Sequence, residues 1–393
     1  MLETHLSRFF GLPELKLTSG KKGLQSFLYE GFKKRSACEI CPRCARSSSS
    51  VYDHRWVTLK DEPMRRSVIT LRIKKRRYYC SGCRKPFTEP LQGVMPRKRT
   101  TQRYRESLML ACEKYSSLKK VREDYRCSSS LLYKVVYEQL GRKIKQINYP
   151  WPEKLGIDEH FVSRKYGYPE FMTVFTDLKN HRVRECVLGK TKAGLLESVK
   201  HIDGRRNVKW VTIDMSDTYR GFALEQFPSA EIVADKFHVL RMFTHILNRH
   251  RIDITGDKRR NPVRKLLLRN RSRLKYYERN ALDTWLKLHP NIKEAYEWKE
   301  HFHRLYRMKG YDRARARMEK LLIAMKFSII PEIQRLQRTM ERWRDEILNY
   351  FKCGLTNAMT EGFNRVASLV KNRAFGYRNQ NNYRLRFLSA CAF

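Results

Sequence analysis

The chain has 393 residues, with 83 Lys and Arg against 40 Asp and Glu, a formal net charge of +43 spread along its whole length. Apolar residues make up 41%, enough for a real core, yet no run of about 18 of them marks a membrane span, and the N-terminal MLETHLSRFFGLPEL lacks the apolar centre of a secretory signal. Ten cysteines, some in CxxC pairs and the rest scattered singly, exclude a disulfide scaffold and point to a reducing compartment. The composition therefore predicts an intracellular, soluble protein whose partner is a dense polyanion, nucleic acid, bound in a strongly salt-dependent way.

Residues 1–36 form an N-terminal segment without a usable motif. Residues 37–95 hold Cys41-Pro-Arg-Cys44 and Cys80-Ser-Gly-Cys83, separated by VYDHRWVTL and SVITLRIKKRRYYC. Both intervening runs are rich in β-branched and aromatic residues and read as strands. Two CxxC knuckles held apart by a β-hairpin predict a zinc ribbon, because tetrahedral zinc takes four thiolates. Cys38, three residues before Cys41, leaves the register slightly ambiguous. The RIKKRR run on the second strand favours DNA as what the ribbon touches.

Residues 96–148 read as three helices, with Leu108, Leu110 and Ala111 apolar on the first, LKKVREDY as a short second, and Leu131, Leu132, Val135, Val136 and Leu140 inward on the third. Two helices joined by a tight turn in basic surroundings predict a helix-turn-helix, with Ser129, Ser130, Tyr133 and Lys134 facing the major groove of double-stranded DNA.

From Trp151 the pattern changes to three strands in hairpin order (155–161, 170–177, 182–189), then helix, strand (208–215), helix and strand (231–235). That is the order of a ribonuclease H-like α/β fold, predicted over residues 149–240 and 351–393. Asp158 and Asp214 sit on strands that would be neighbours. Two close carboxylates are costly unless a cation neutralises them, and hard oxygen ligands suit magnesium or manganese. Asp235 ends the fifth strand, and His238 follows one turn on; both are placed behind the metal ligands, with Asp177 and Glu159 ranked lower. Residues 241–350 read as an all-helical insertion.

The last stretch, Thr356–Arg386, opens with a helix whose Met359, Phe363, Val366 and Val370 form an apolar stripe. Glu361 falls off that stripe, beside Gly362, where a close approach to the backbone is expected. Basic and aromatic residues then interleave: Arg373, Phe375, Tyr377, Arg378, Tyr383, Arg384 and Arg386. The plain account of Glu361 is an i, i+4 surface pair with Arg365, worth a few tenths of a kcal/mol.

Taken together, CPRC, CSGCRKPFTE, GIDEH, VTIDMSDTYRGF, FPSAEIVADKFHV and TEGFNRVASLVKNRAFGYRNQNNYRLRFL closely resemble bacterial insertion-sequence transposases of the DDE type, specifically the ISL-three (ISL3) family. The resemblance spans nearly the whole chain. It implies a zinc ribbon and helix-turn-helix that recognise terminal inverted repeats, ahead of a nuclease with Asp158, Asp214 and Glu361 as its catalytic acids. Two catalytic magnesium or manganese ions would be held by those three acids, and a structural zinc by Cys41, Cys44, Cys80 and Cys83. Arg365, Lys371, Arg373, Tyr377 and Arg378 would join Ser129, Ser130, Tyr133 and Lys134 as DNA contacts. The chain departs from the family pattern at Ala367 and Ser368, where a basic residue is expected. Cutting two ends calls for a homodimer or higher assembly on DNA. The rival expectation is a sequence-specific DNA-binding regulator on an inactive transposase body.

Overall fold

The computed structural model describes residues 7–8, 10–64, 67–114, 117–166, 168–256, 262–374 and 376–393; Phe375 lies outside them. The chain divides into two compact units, Met1–Lys143 and Ile144–Phe393.

The first unit is built on a five-stranded sheet. Strands β1 (Leu15–Gly23) and β2 (Ser26–Lys33) come from the segment that carried no motif, and they extend a sheet with β5 (Val51–Met64), β6 (Ser67–Cys80) and β7 (Lys85–Thr88). The order is β1-β2-β6-β5, with β7 also on β6; β2 and β6 run parallel and the other pairs antiparallel. A separate small ladder pairs β3 (Glu39–Ile40) with β4 (Ser47–Ser48) around the first cysteine knuckle. Period-two alternation buries Leu59, Ile69, Leu71 and Ile73 on one face with Phe10, Leu12, Leu15 and Leu17, and sends Trp56, Arg72 and Lys74 to the other face.

Three helices follow: α1 (Gln102–Lys114), α2 (Leu118–Asp124) and α3 (Ser129–Lys145). Tyr104, Leu108 and Ala111 are buried on α1, and Leu132, Val135, Val136 and Leu140 on α3. Leu110, expected inside, is 54% exposed; it lies two residues from Leu108 and so off that helix's buried face. Leu131 is only half-buried. Arg105 is buried and donates to Glu138 at 2.7 Å, joining α1 to α3 by a charge-assisted bond.

The second unit centres on a sheet of order β10-β9-β8-β11-β12, from β8 (Lys154–Lys165), β9 (Tyr168–Asp177), β10 (Arg182–Leu188), β11 (Trp210–Ile213) and β12 (Glu231–Ala234). The first three are antiparallel, and β11 and β12 run parallel to β8. Between the later strands lie α4 (Lys192–Val199) and α5 (Asp217–Gln226). Then come α6 (Lys236–Thr255), α7 (Pro262–Leu268), α8 (Tyr276–Lys287), α9 (Pro290–Leu305), α10 (Tyr311–Met325), α11 (Pro331–Arg342) and α12 (Arg344–Cys353), and finally α13 (Ala358–Arg373) and α14 (Gln380–Cys391).

The helical insertion is continuous with the sheet's core. Leu155, Ile157, Val211 and Ile213 share one buried cluster with Phe243, Phe302, Met318, Trp343 and Ile347. Helix α12 also covers the edge of β12: the Asn349 amide donates to the Ile232 carbonyl at 2.9 Å, and Lys352 pairs with Glu231 at 2.6 Å. The opposite sheet face packs Val162, Met172, Val174 and Cys186 against Ala367, Tyr383, Phe387 and Leu388 of α13 and α14.

Strand β8 runs well past β11, which stops at Ile213. The carbonyls left open along β8 are taken by side chains of α13 spaced seven residues apart. Asn357 Nδ2 donates to the Ile157 carbonyl (2.8 Å), Asn364 Nδ2 to that of Glu159 (3.3 Å), and Lys371 Nζ to those of Phe161 and Val162 (3.2 Å each). Seven residues make nearly two helical turns, so all three project from one side. Beneath them Gly156 is required: a Cβ there would lie 2.6 Å from Thr360 Oγ1 and 2.7 Å from Asn357 Oδ1.

Candidate functional site

Two clusters carry chemistry. In the first unit the sulfurs of Cys41, Cys44, Cys80 and Cys83 all lie within 4.8 Å of one another, the only such set of three or more potential ligands among the described residues. Cys41–Cys83 is 4.0 Å and Cys44–Cys80 is 3.5 Å, bracketing the ~3.8 Å edge of a tetrahedron with Zn–S bonds of about 2.3 Å. The backbone N–H of Arg43 draws the Cys41 thiol down to about 7, while hydrogen bonding with Cys44 pushes Cys83 up to about 12. These are thiols that gain by giving up protons to a shared cation. Cys38 is exposed and outside the cluster.

In the second unit the register of β8, β11 and β12 brings acids to one level. Thr212 pairs with Gly156 and Ile213 with Ala234, so Asp158, within β8, comes level with Asp214 and Asp235, which directly follow the last residues of the neighbouring parallel strands β11 and β12. Asp158 is buried: its Oδ1 accepts from the Glu159 N–H (2.8 Å) and its Oδ2 from Asn364 Nδ2 (3.0 Å). Asp214 Oδ1 is buried without a hydrogen-bond partner among the described residues, as is Asn364 Oδ1. Burial lifts both carboxyls to about 6; nearby acids add to this, Asp214 and Asp235 for Asp158 and Glu159 for Asp214, and His238 opposes it in both cases. Hard, partly desolvated oxygens with unmet acceptor capacity are a donor set that fits magnesium or manganese.

Asp235 is placed differently. It is fully buried at the N-terminus of α6, and its oxygens accept from the Asn357 N–H (2.9 Å), the His238 N–H (3.3 Å) and His238 Nδ1 (3.0 Å). That bond, and then the surrounding aspartates, raise the His238 pKa. Glu159 is ion-paired to Lys190 at 3.2 Å, and Asp177 is spent on the turn at Lys179 and Asn180.

Glu361 is half-buried on α13, and its carboxylate makes no hydrogen bond or ion pair among the described residues. Arg365 is exposed and no ion pair joins the two. At about 100° per residue, Glu361 sits roughly 50° from the line of Asn357 and Asn364, beside the side chain that grips Asp158. Asp158, Asp214 and Glu361 do not close to within 4.8 Å as a trio. Nothing lies within 4 Å of where a Gly362 Cβ would be, so that flank is open.

Ser129, Ser130, Tyr133 and Lys134 are exposed on α3, with Tyr133 stacked on Tyr137 and Ser129 accepting from Arg122. Arg373 and Arg378 are exposed. Lys371, however, is bonded along β8, and Tyr377 is half-buried with its ring 5.2 Å from that of Tyr383. Ala367 is fully buried, with its carbonyl accepting from Tyr383. A long cation has no room at Ala367; the half-buried Ser368 donates to the Asn364 carbonyl. The residues that the motifs did not single out are Asn364 and Gly156; the signal available was the seven-residue spacing of Asn357, Asn364 and Lys371.

A model of the ISL3 family, described as "Transposase", matches residues 155–387. A second, "zinc-finger of transposase IS204/IS1001/IS1096/IS1165", matches residues 39–83. The "Transposase for insertion sequence element IS1001" of Bordetella parapertussis is 23% identical over 365 residues, covering 89% of this chain and 88% of that protein. With its larger match spanning more than half of the sequence and its ribbon closed by four thiols, this chain belongs to the ISL3 family of transposases.

Proposed function

We propose that the protein binds double-stranded DNA at the terminal inverted repeats of a mobile element, cuts it and joins the exposed 3′ hydroxyl to target DNA. The strand order 3-2-1-4-5 supports a ribonuclease H-like catalytic domain, and α1 to α3 support a helix-turn-helix. The observation that carries the reading is the pair of carboxylates level with one another on β8 and at the end of β11, Asp158 buried and Asp214 half-buried, with the buried Asp214 Oδ1 lacking a partner among the described residues.

Asp158 and Asp214 would hold magnesium or manganese, and Glu361, standing free on the helix docked to β8, would complete the set. Two such ions supply activation of the attacking oxygen and stabilisation of the leaving one. The protein's part is positioning. Asn364 donates to Asp158, while Asp235 holds His238 and the start of α13, the helix that carries Glu361. Arg365, Arg373 and Arg378 would bind the strand being cut, and α3 the duplex. Phosphoryl transfer of this kind needs no covalent protein intermediate, which separates it from tyrosine and serine recombinases. Symmetric cutting of two ends requires at least two protomers on DNA.

The test is to sequence the products formed when purified protein meets a library of candidate ends with magnesium or manganese. Asp158→Ala, Asp214→Ala and Glu361→Ala should each abolish cation-dependent cleavage and leave end binding nearly intact. Cleavage retained by Glu361→Ala would remove that residue from the site. Binding without any nicking by the unaltered protein would favour the regulator reading.

A further inference from the structure

The sheet of the first unit buries one face and leaves the other open, and the open face is unusually cationic. Register across β1, β2, β6 and β5 aligns Lys16, Phe32, Lys74 and Trp56 in one row and Ser19, Glu30, Arg72 and Thr58 in the next. Lys21 follows one rung beyond, on the same face. Trp56 is 46% exposed, and the Arg72 guanidinium lies 4.7 Å from its ring centroid while also pairing with Glu30 at 2.9 Å. Lys16, Lys21 and Lys74 are exposed.

An ordinary half-solvated sheet mixes both charge signs. Here Glu30 is the only acid in these rows and it is already paired. A guanidinium stacked on an indole is held in one plane, which presents its remaining N–H groups in a fixed direction. Three strand spacings of ~4.8 Å put Lys16 and Trp56 about 14 Å apart, comparable with the ~12 Å width of a major groove.

We propose that this open face, centred on Arg72, Lys74 and Trp56, lies along the sugar–phosphate backbone of duplex DNA. It rests on the DNA-binding reading above and deepens it. The sheet supplies sequence-independent grip, leaving recognition to the helices. Phosphate contacts position a protein on the duplex but carry no base information.

The test uses the full chain, with fluorescence anisotropy on a duplex carrying the element's ends, an unrelated duplex, a single strand and an RNA hairpin, at several salt concentrations. Arg72→Ala with Lys74→Ala should reduce the dependence of log affinity on log salt by about 2, and weaken both duplexes equally, on the order of fiftyfold at 0.1 M salt. Duplex should also shield Trp56 from acrylamide, read as the quenching difference between wild type and Trp56→Phe; this holds even if the double variant folds poorly. Wild-type duplex binding with an unchanged salt slope and unshielded Trp56 would overturn this surface and leave the transposase reading standing. No duplex binding by wild type would overturn both. Tighter binding of the single strand or the RNA hairpin would overturn duplex DNA as the occupant.

Discussion

Three aspartates at one level of the sheet do different work. Asp214 is ordinarily a pKa 3.8 group, held in the fold at about 6. Below about pH 3 it is protonated both folded and unfolded, so it costs nothing. As pH rises from about 3.8 to 6 the unfolded carboxyl ionises while the folded one stays protonated, and the resulting cost of about 3 kcal/mol levels off above pH 6. Asp214→Asn should therefore raise the melting temperature of protein free of magnesium at pH 8, with no gain near pH 3. A gain of equal size at both values would contradict burial as the cause. Magnesium should stabilise wild type at pH 8 more than at pH 5, because protons then compete for the same oxygens. Asp235 contributes through its hydrogen bonds. Its carboxylate satisfies three donors, so Asp235→Ala should lower stability by roughly 3 kcal/mol, since those buried N–H groups lose their acceptor. A small loss in chemical denaturation would show that the site tolerates its removal. Asp158 and Asp214 were legible in the sequence because a lone acid among Leu, Ile and Val on a strand stands out. Asn364 was not, because an asparagine on a polar helix looks like any solvated residue until its partner is known.

At the scale of elements, the polar seam between α13 and β8 decides where Glu361 stands. Periodicity found the apolar stripe of Met359, Phe363, Val366 and Val370, of which the last three pack half-buried against the core of this sheet face, beside the fully buried Thr360 and Ala367. Sequence patterns weigh hydrophobicity and so miss the polar half of this docking surface, where Asn357, Asn364 and Lys371 donate to β8. Gly156→Ala tests the seam. Its Cβ would press on Thr360 and Asn357, and overpacking of this kind costs about 1–3 kcal/mol. Strand cleavage should fall further than stability does, because α13 shifts away from the aspartates. Equal losses would mean that the fold simply weakens. The ribbon gives a second check. Mercurial titration should release zinc from wild type and from Cys38→Ser alike, and Cys44→Ser should hold it far more weakly. Zinc content that followed Cys38 instead would reassign the fourth ligand. The two CxxC pairs were plain from spacing alone. Strands β1 and β2 were not, because LKLTSGKKG and SFLYEGFK carry glycine and lysine where strand signals expect β-branched residues.

Across the whole molecule, the net charge of +43 predicts a slope of log affinity against log salt steeper than about −6 for duplex of any sequence. A shallow slope would confine DNA contact to a few side chains. No helix among the described residues is long and apolar enough to cross a membrane. The insertion was legible as helical, but its union with the sheet was not, since one buried cluster joins residues nearly 200 positions apart. The same long reach has a consequence for shortened chains. The carbonyls of Ile157, Glu159 and Phe161 are capped by a helix that begins only at Ala358. A chain ending before that helix would display a bare strand edge, and such edges pair with their neighbours. Truncated products should thus accumulate as intermolecular β-aggregates instead of persisting as folded competitors.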